Sequence, residues 1–528
     1  MRQPQAAAQR QHRSFTQSVP APTGGLNAVD PIAAMPDTDA IVLDNWWPST
    51  VDVSIRKGWA VFATLPTDDP AGQRHDIRSI MSYKHPDGTT VGFVADQTGI
   101  YDVSAGGAVS SIDSAATNGE WQFTNISTAG GSFLWCCNGV DKARYFNGTS
   151  WTVLDGVSSP ALTGITSTDI TSVTLFKTRL MFLLKDSLSF AFLPVNSVAG
   201  AASVFPLGAI FKLGGHLVLL DTWSVDGGEG IDDYMIFMTS EGELAVYKGT
   251  DPAVAANWAL VGVYFVGRPL SKRSSVKVGG DLVLLTVQGL YPISKALGFA
   301  TTDETTAISY KIQTLFLRYA EAGLDLYGWE IQHFPEATML VVNAPFRADA
   351  SLNFFYSYQF VMNTTNLSWA RFTNMPSEAW GVHNDRLYFA AHNVIFQAWV
   401  GSTDGGAKIR SRGQTAFTFL RKPSVIKHIK LVRALMQAFG DVSFKVGVES
   451  DFTVDVRTEA LPPTLSSQSV FDSAKWDQAS WSGSGISTTW NAVSNNPGIW
   501  LSLVLEGSTD AAVNWYTTGY IYETGTYL

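Results

Sequence analysis

Histidines and clustered acids are where metal or acid–base chemistry would show first. The eight histidines, His12, His75, His85, His216, His333, His383, His392 and His428, are scattered. Only His383 and His392 read as close, on opposite arms of one hairpin, and two imidazoles without a third ligand make a poor zinc site. The segment Ser224–Asp233 gathers Asp226, Glu229, Asp232 and Asp233. It lacks the alternating Asp-x-Asp-x-Asp-Gly order of a dedicated calcium loop, so a solvated turn is expected. Phosphate-cradling glycine loops ending in Gly-Lys-Ser/Thr, His-Glu-x-x-His helices and Gly-x-Ser-x-Gly elbows do not occur. The expectation is a chain that is not an enzyme and uses no cofactor or metal.

Other residue groups suggest contacts rather than catalysis. Ser224-x-Asp226-x-Gly228 and Ser402-x-Asp404-x-Gly406 open like the Asp-box turn of sialidases but lack its closing Thr-Trp. A glycosidase would also need two facing carboxylates at a set separation, which no local pattern supplies. Trp476, Trp481, Trp490, Trp500 and Trp515 could stack on sugars, but paired hairpin aromatics filling a small core are the simpler use. Between Gly405 and Gly440 lie Lys408, Arg410, Arg412, Arg421, Lys422, Lys427, Lys430 and Arg433 and no acid. These charges alternate with apolar residues, so one face is core and the other is expected at a subunit or partner interface. The uncharged stretch Pro194–Phe211, with Phe205, Leu207, Ile210 and Phe211, reads either as a channel gate or subunit contact or as an ordinary covered loop.

The elements that must carry these residues are strands. Charged residues are 16% of the 528, against the usual ~25%, while aromatics are 12% and glycines number 46. That balance describes short strands, tight turns and uncharged surface available for assembly. Adjacent Cys136 and Cys137, beside Phe133-Leu134-Trp135, cannot staple distant segments and read as buried strand residues. The first residues lack an apolar signal core, and no stretch reads as a membrane span. The net charge of −10 argues against a dedicated nucleic-acid binder.

Short apolar runs recur in pairs joined by glycine or Asx turns: Val91–Ala95 with Gly99–Tyr101, Ser132–Cys137 before Asn138-Gly139, and Arg179–Leu184 with Leu188–Leu193. Further pairs are Tyr234–Met238 with Leu244–Tyr247, Asp281–Val287 with Gly289–Tyr291, and Arg386–Ala390 with Val394–Phe396. Each reads as a hairpin, and their spacing of ~40–55 residues is that of propeller blades, with a pair of β-sandwiches as the other arrangement open to them. The expectation is an all-β chain: a divergent six- to eight-bladed β-propeller plus a C-terminal β-sandwich or jelly-roll-like domain, with an extended N-terminal segment. Residues 1–25 read as a flexible arm, 26–73 as an extended, strand-bearing lead-in, 74–404 as the propeller and 405–528 as the C-terminal β domain. Thr306–Leu317 lacks helix caps and reads equally as strand.

Three stretches then resemble one family. Gly25-Leu26-Asn27, Asp30-Pro31, Met35, Asp39-Ala40 and Leu43-Asp44-Asn45-Trp46-Trp47-Pro48, followed by Arg56-Lys57-Gly58-Trp59, resemble the opening of the tail nozzle or tail-hub proteins of short-tailed bacteriophages, which are related in role to phage DNA-stabilisation proteins. Lys427-His428-Ile429-Lys430, Arg433 and Asp451-Phe452 resemble that family's basic strand and following Asp-Phe. Phe471-Asp472, Trp476-Asp477, Trp481 and Tyr522-Glu523-Thr524-Gly525 resemble its end.

The resemblance implies a structural virion protein, made in the host bacterial cytoplasm and assembled into the tail as a sixfold ring. It would continue the DNA conduit, plug it after packaging and open for ejection. Implied partners are other copies of itself, the tail adaptor or head-to-tail connector, tail fibres or spikes, the tail needle or plug, and viral DNA passing without sequence-specific binding. Outside the basic stretch the charge is −18, that is −10 less eight positive charges, and a conduit should repel phosphate rather than grip it. Residues 1–25 or the Trp46-Trp47 segment are the expected attachment to neighbours. The alternative from another class is a propeller-type glycan-binding or glycoside-cleaving tail component.

Overall fold

The computed structural model describes residues 14–66, 76–109, 111–113, 116–226, 231–297, 304–346, 356–440, 442–452, 459–460, 485–486, 489–493 and 497–525. The chain is mostly strand with little helix. It divides into two compact units: Met1–Gly58 with Thr365–Phe372 and Gly401–Leu528, and Trp59–Thr364 with Thr373–Val400.

The larger unit contains seven small antiparallel sheets among the described residues. Sheet 1 is Ser79–Lys84, Thr90–Ala95, Ile100–Asp102 and Ser111–Asp113. Sheet 2 is Gln122–Thr128, Gly131–Cys137, Arg144–Phe146 and Trp151–Val153. Sheet 3 is Ile170–Phe176, Arg179–Leu184, Ser189–Phe192 and Ser203–Pro206. Sheet 4 is Leu217–Asp226, Ile231–Thr239, Glu243–Gly249 and Trp258–Phe265. Sheet 5 is Ser275–Val278, Asp281–Thr286 and Gly289–Pro292. Sheet 6 is Glu330–Phe334, Met339–Phe346 and Tyr356–Asn363. Sheet 7 is Ala379–His383, Arg386–Ala391, Val394–Ala398 and, returning from the start of the unit, Trp59–Thr64.

The first strand of each sheet contacts the first strand of the next, and sheet 7 meets sheet 1, so the seven form a closed, propeller-like ring. The six hairpins read from the sequence are the second and third strands of sheets 1 to 5 and 7. Sheet 6 escapes that pattern because its second and third strands are separated by the nine residues 347–355, which include no glycine. Before it, Gln313–Gly323 is an α-helix, which settles the ambiguity at Thr306–Leu317 for the residues from 313 on.

The middle strands are apolar on both faces because each sheet is covered by neighbours on both sides. Phe190 of sheet 3 stacks on Phe237 of sheet 4 with centroids 4.5 Å apart, and Trp135 of sheet 2 meets Phe182 of sheet 3 at 4.7 Å. Cys136 and Cys137 are fully buried in such layers. Sheets 7 and 1 approach so closely that a Cβ on Gly381 would fall 2.7 Å from Ile80.

The smaller unit is built from the two ends of the chain. Val513–Thr524 pairs on one side with Lys427–Ala438 and on the other with Ser14–Pro20 and Val53–Ile55. A second sheet runs Gly25–Leu26, Asp39–Asp44, Ala407–Thr415, Leu501–Thr509 and Val442–Ser450. Trp46, on the strand Trp46–Pro48 of the first sheet, packs on Trp515 of that sheet at 5.7 Å and on Phe444 of the second at 6.0 Å, so the two sheets share one aromatic core.

Two expectations change here. Within 1–25, read as a flexible arm, Ser14–Pro20 is a strand, because Val513–Thr524 offers it a seven-residue register. The boundaries at 73/74 and 404/405 give way to 58/59 and 400/401, because Trp59–Thr64 belongs to sheet 7 while 14–58 pairs with the C-terminal strands.

A buried ion pair fixes this second arrangement. Arg56 reaches Asp404 with two hydrogen bonds, at 2.8 and 2.7 Å, and their side chains are 0% and 1% exposed. Arg56 Nε also donates to Asn45 Oδ1 at 2.8 Å, and Asn45 Nδ2 donates to the Arg410 carbonyl at 2.7 Å. Nearby, Arg371 Nε and Nη2 donate to the two carboxylate oxygens of Asp44 at 2.7 and 2.8 Å. Removing one member of a buried pair strands the other charge. Arg56→Met or Asp404→Leu should therefore each lower stability by about 3–5 kcal/mol in urea unfolding. The double replacement should cost clearly less than the sum of the two, and additive losses would show that the pair is not coupled.

Candidate functional site

In the larger unit, polar side chains from many elements converge at the axis of the seven-sheet ring, where the first strands of successive sheets meet. Arg273 sits just before the first strand of sheet 5. Its Nη2 donates to the Trp121 carbonyl at 3.0 Å, at the head of sheet 2, three sheets away around the ring. Its Nη1 pairs with Glu330 of sheet 6 at 3.3 Å, with side chains 14% and 4% exposed. Arg273 therefore spans the axis. Burial works against its charge, but Tyr327 and Glu330 outweigh that effect and hold its pKa above the ordinary value. Glu330 also accepts from Gln332 Nε2 at 2.8 Å and from the Trp380 N–H at 3.0 Å.

A second bridge lies beside it. The Tyr327 hydroxyl donates to the Arg78 carbonyl, and burial pushes that phenol up. Arg78 pairs with Glu120 at 2.8 Å and lies over the Tyr327 ring at 5.1 Å. In sheet 4, Asp221 accepts from Ser275 Oγ at 2.7 Å. Burial raises its pKa even so, with Lys277 opposing. Two cavities, of about 340 and 330 Å³, meet here with Gln122, Lys272, Arg273 and Glu330 in the walls of both.

Sequence reasoning did not single out this cluster. Arg273 and Glu330 are 57 positions apart, and no local spacing brings them together. The available signal was a lone acid, Glu330, inside the otherwise strand-like run Trp329–Phe334.

The residues that were singled out lie elsewhere. Phe205, Leu207, Ile210 and Phe211 form part of the packed layer between sheets 3 and 4. Leu207 and Phe211 are buried, and Phe205 and Ile210 pack against them half-buried. Within the chain these four side chains are covered by sheets 3 and 4, while Val204 on the same edge strand is 48% exposed. Trp46 and Trp47 are likewise buried, Trp46 in the aromatic core of the smaller unit, and are not free for attachment. His383 and His392 stand at opposite ends of the strand Arg386–Ala391, bonded to Ser82 and Asp76 respectively. Gly227–Gly230 of the acidic loop and Trp476 and Trp481 lie outside the described residues. Trp490 lies under Arg433, Trp500 packs on Phe419 and Phe452, and Trp515 is core. Among the described residues no three His, Cys, Asp or Glu side chains group as a metal site, and no helix is long and apolar enough to cross a membrane.

The basic stretch is largely answered by acids and rings. Lys408 pairs with Asp510 at 3.7 Å, Arg412 with Glu506 at 3.3 Å and Lys430 with Glu523 at 3.4 Å. Lys422 lies over Phe15 and Tyr522, while Arg410 and Arg421 are exposed. Lys427 is fully buried and donates to the Val425 and Ile499 carbonyls, both at 2.9 Å.

No family model and no curated protein matches the chain. Solved structures similar to it include the N-terminal part of BBS1 in complex with ARL6, at 9% identity over 66% of this chain and 99% of that one, TM-score 0.35. Others are Chaetomium thermophilum Raptor, at 10% over 66% and 29%, TM-score 0.40, and the Cps50 (Swd1) β-propeller domain of Myceliophteria thermophila, at 10% over 62% and 97%, TM-score 0.38. At these scores none carries an inference about what this chain does.

Lys427 makes the stability of the smaller unit depend on pH. Burial lowers its pKa from 10.5 to about 8, with Asp451 opposing and Lys422 assisting. Between those two values the unfolded chain binds this proton and the folded chain does not, so the group's contribution to stability rises with pH across that window. The stability of the wild type relative to Lys427→Met should grow by up to about 3 kcal/mol from pH 8 to 10.5. A difference that stays flat in urea titrations over this range refutes the assignment.

Proposed function

We propose that this chain is a structural subunit of the tail nozzle of a short-tailed bacteriophage, assembled as a sixfold ring around the DNA path. The observation that carries the reading is the ordered resemblance of three stretches, Gly25–Trp59, Lys427–Phe452 and Phe471–Gly525, to that family. Many polar residues of the first stretch are also those that tie the smaller unit together. Asn27 donates to Asp39 at 2.7 Å, Asp44 holds Arg371, and Arg56 joins Asn45 to Asp404.

In this reading DNA runs along the axis between copies, not through the seven-sheet ring, whose own axis Arg273 crosses. The adaptor or connector, fibres or spikes, and a needle or plug would dock on outer surfaces. The protein would stay in the virion tail and do no covalent chemistry. Contact between copies would use surface left over within each unit. The outermost strand of sheet 4, Trp258–Phe265, carries no charge and exposes Leu260, Val261 and Phe265 by 40, 49 and 44%. An uncharged exposed edge of that length favours pairing with another chain. In the smaller unit, Arg410 with the partly matched Lys408 and Arg412 offers a charged contact.

Cryo-EM of the source particle tests the proposal. Density for this chain as a sixfold ring at the distal end of the tail is expected. Peripheral trimers, or absence from particles, would overturn it and bring forward a glycan-binding component. Val261→Lys with Phe265→Lys should leave the chain folded by circular dichroism yet sharply reduce its incorporation into particles. Normal incorporation would remove this strand from the interface.

A further inference from the structure

The charged groups lining the first cavity do not balance, and the one left over is a cation. Of the acceptors lining the first cavity, Glu330 receives Arg273, Gln332 and the Trp380 N–H. Asp221 receives Ser275 Oγ and the Thr222 N–H. The charged group left over is a donor. Lys272, half-buried in the walls of both cavities, has no ion-pair or hydrogen-bond partner among the described residues. The buried Trp121 indole N–H also lacks an acceptor. Gln122, between these two cavities, has no partner for its side-chain amide among the described residues.

Water can fill such a space, but it brings no charge to answer an ammonium group, and unmatched donors in a sheltered site are costly. The volume, about 340 Å³, falls within the range of small-ligand pockets of ~300–1,000 Å³. Asp325 could compete for Lys272 only at the second cavity, where it lies exposed in the wall; it does not line the first. Arg273 crossing the axis excludes a polymer threaded through the ring.

We propose that the first cavity binds a small organic anion the size of a di- or tricarboxylate, with Lys272 supplying the charge that seats it and the Gln122 amide N–H donating to one of its oxygens. The site belongs to the larger unit and stands apart from the assembly reading above.

Calorimetric titration of the full chain with citrate and with succinate at low salt tests this, with glycerol as the uncharged control. Saturable binding of at least one carboxylate and none of glycerol is expected, with the affinity falling roughly tenfold or more in Lys272→Met and largely kept in Lys272→Arg. Equal affinity in Lys272→Met, or no saturation of the wild type by either anion up to roughly 10 mM, overturns the proposal. Should Lys272→Met fail to fold, acetylation of the wild type decides by mass spectrometry. Slower modification of Lys272 in the presence of the anion supports the site, and an unchanged rate overturns it.

Discussion

A sheet that is apolar on both faces cannot stand alone in water, and the larger unit follows from that constraint. Phe190 on Phe237 and Trp135 on Phe182 are contacts between sheets, so each layer is completed only by the next one round. A row of such sheets would leave its two end faces bare. The row closes instead, with Trp59–Thr64 from the start of the unit completing sheet 7, whose other strands come from its end. The hydrophobic area covered at that last junction is available only when every sheet is present, which couples the stability of all seven.

Closure sets the character of the axis. The strands that meet there present backbone heads and polar side chains to a narrow space, and the side chains fill it by pairing across it. Arg273 can reach the Trp121 carbonyl only because sheets 2 and 5 lie on opposite sides of a small ring. The same narrowness separates two roles that a DNA conduit could have confused. A ring of sheets this tight is crossed by side chains such as Arg273 and leaves no room for a duplex.

The smaller unit is organised by charge as much as by apolar burial. Arg56 and Asn45 flank one local strand pair while Asp404 lies 348 positions from Arg56, and the 0 and 1% exposure of the Arg56 and Asp404 side chains makes any other partner expensive. That gives the N-terminal segment a defined seat against Ala407–Thr415. It also explains why the basic stretch 408–433 is not a free cationic face: Glu506, Asp510 and Glu523 lie on strands that pair with it or next to it.

Hairpins were legible in the sequence because their partners are a few residues apart: Arg179–Leu184 with Ser189–Phe192, or Asp281–Thr286 with Gly289–Pro292, needs only alternation and a turn. Burial of Cys136 and Cys137 followed from the same local pattern. The burial of Phe205–Phe211 and Trp46-Trp47 within the chain was not legible, since an apolar run looks the same whether a neighbouring sheet or another molecule covers it. The sequence by itself determined the strands, their turns and the shortage of charge. Only the tertiary structure decided how many sheets close the ring, which distant ends build the smaller unit, and that Arg273 and Lys272 share the axis. Those outcomes depend on contacts such as Arg56 with Asp404, 348 positions apart, and a periodicity of two says nothing about a partner at that distance.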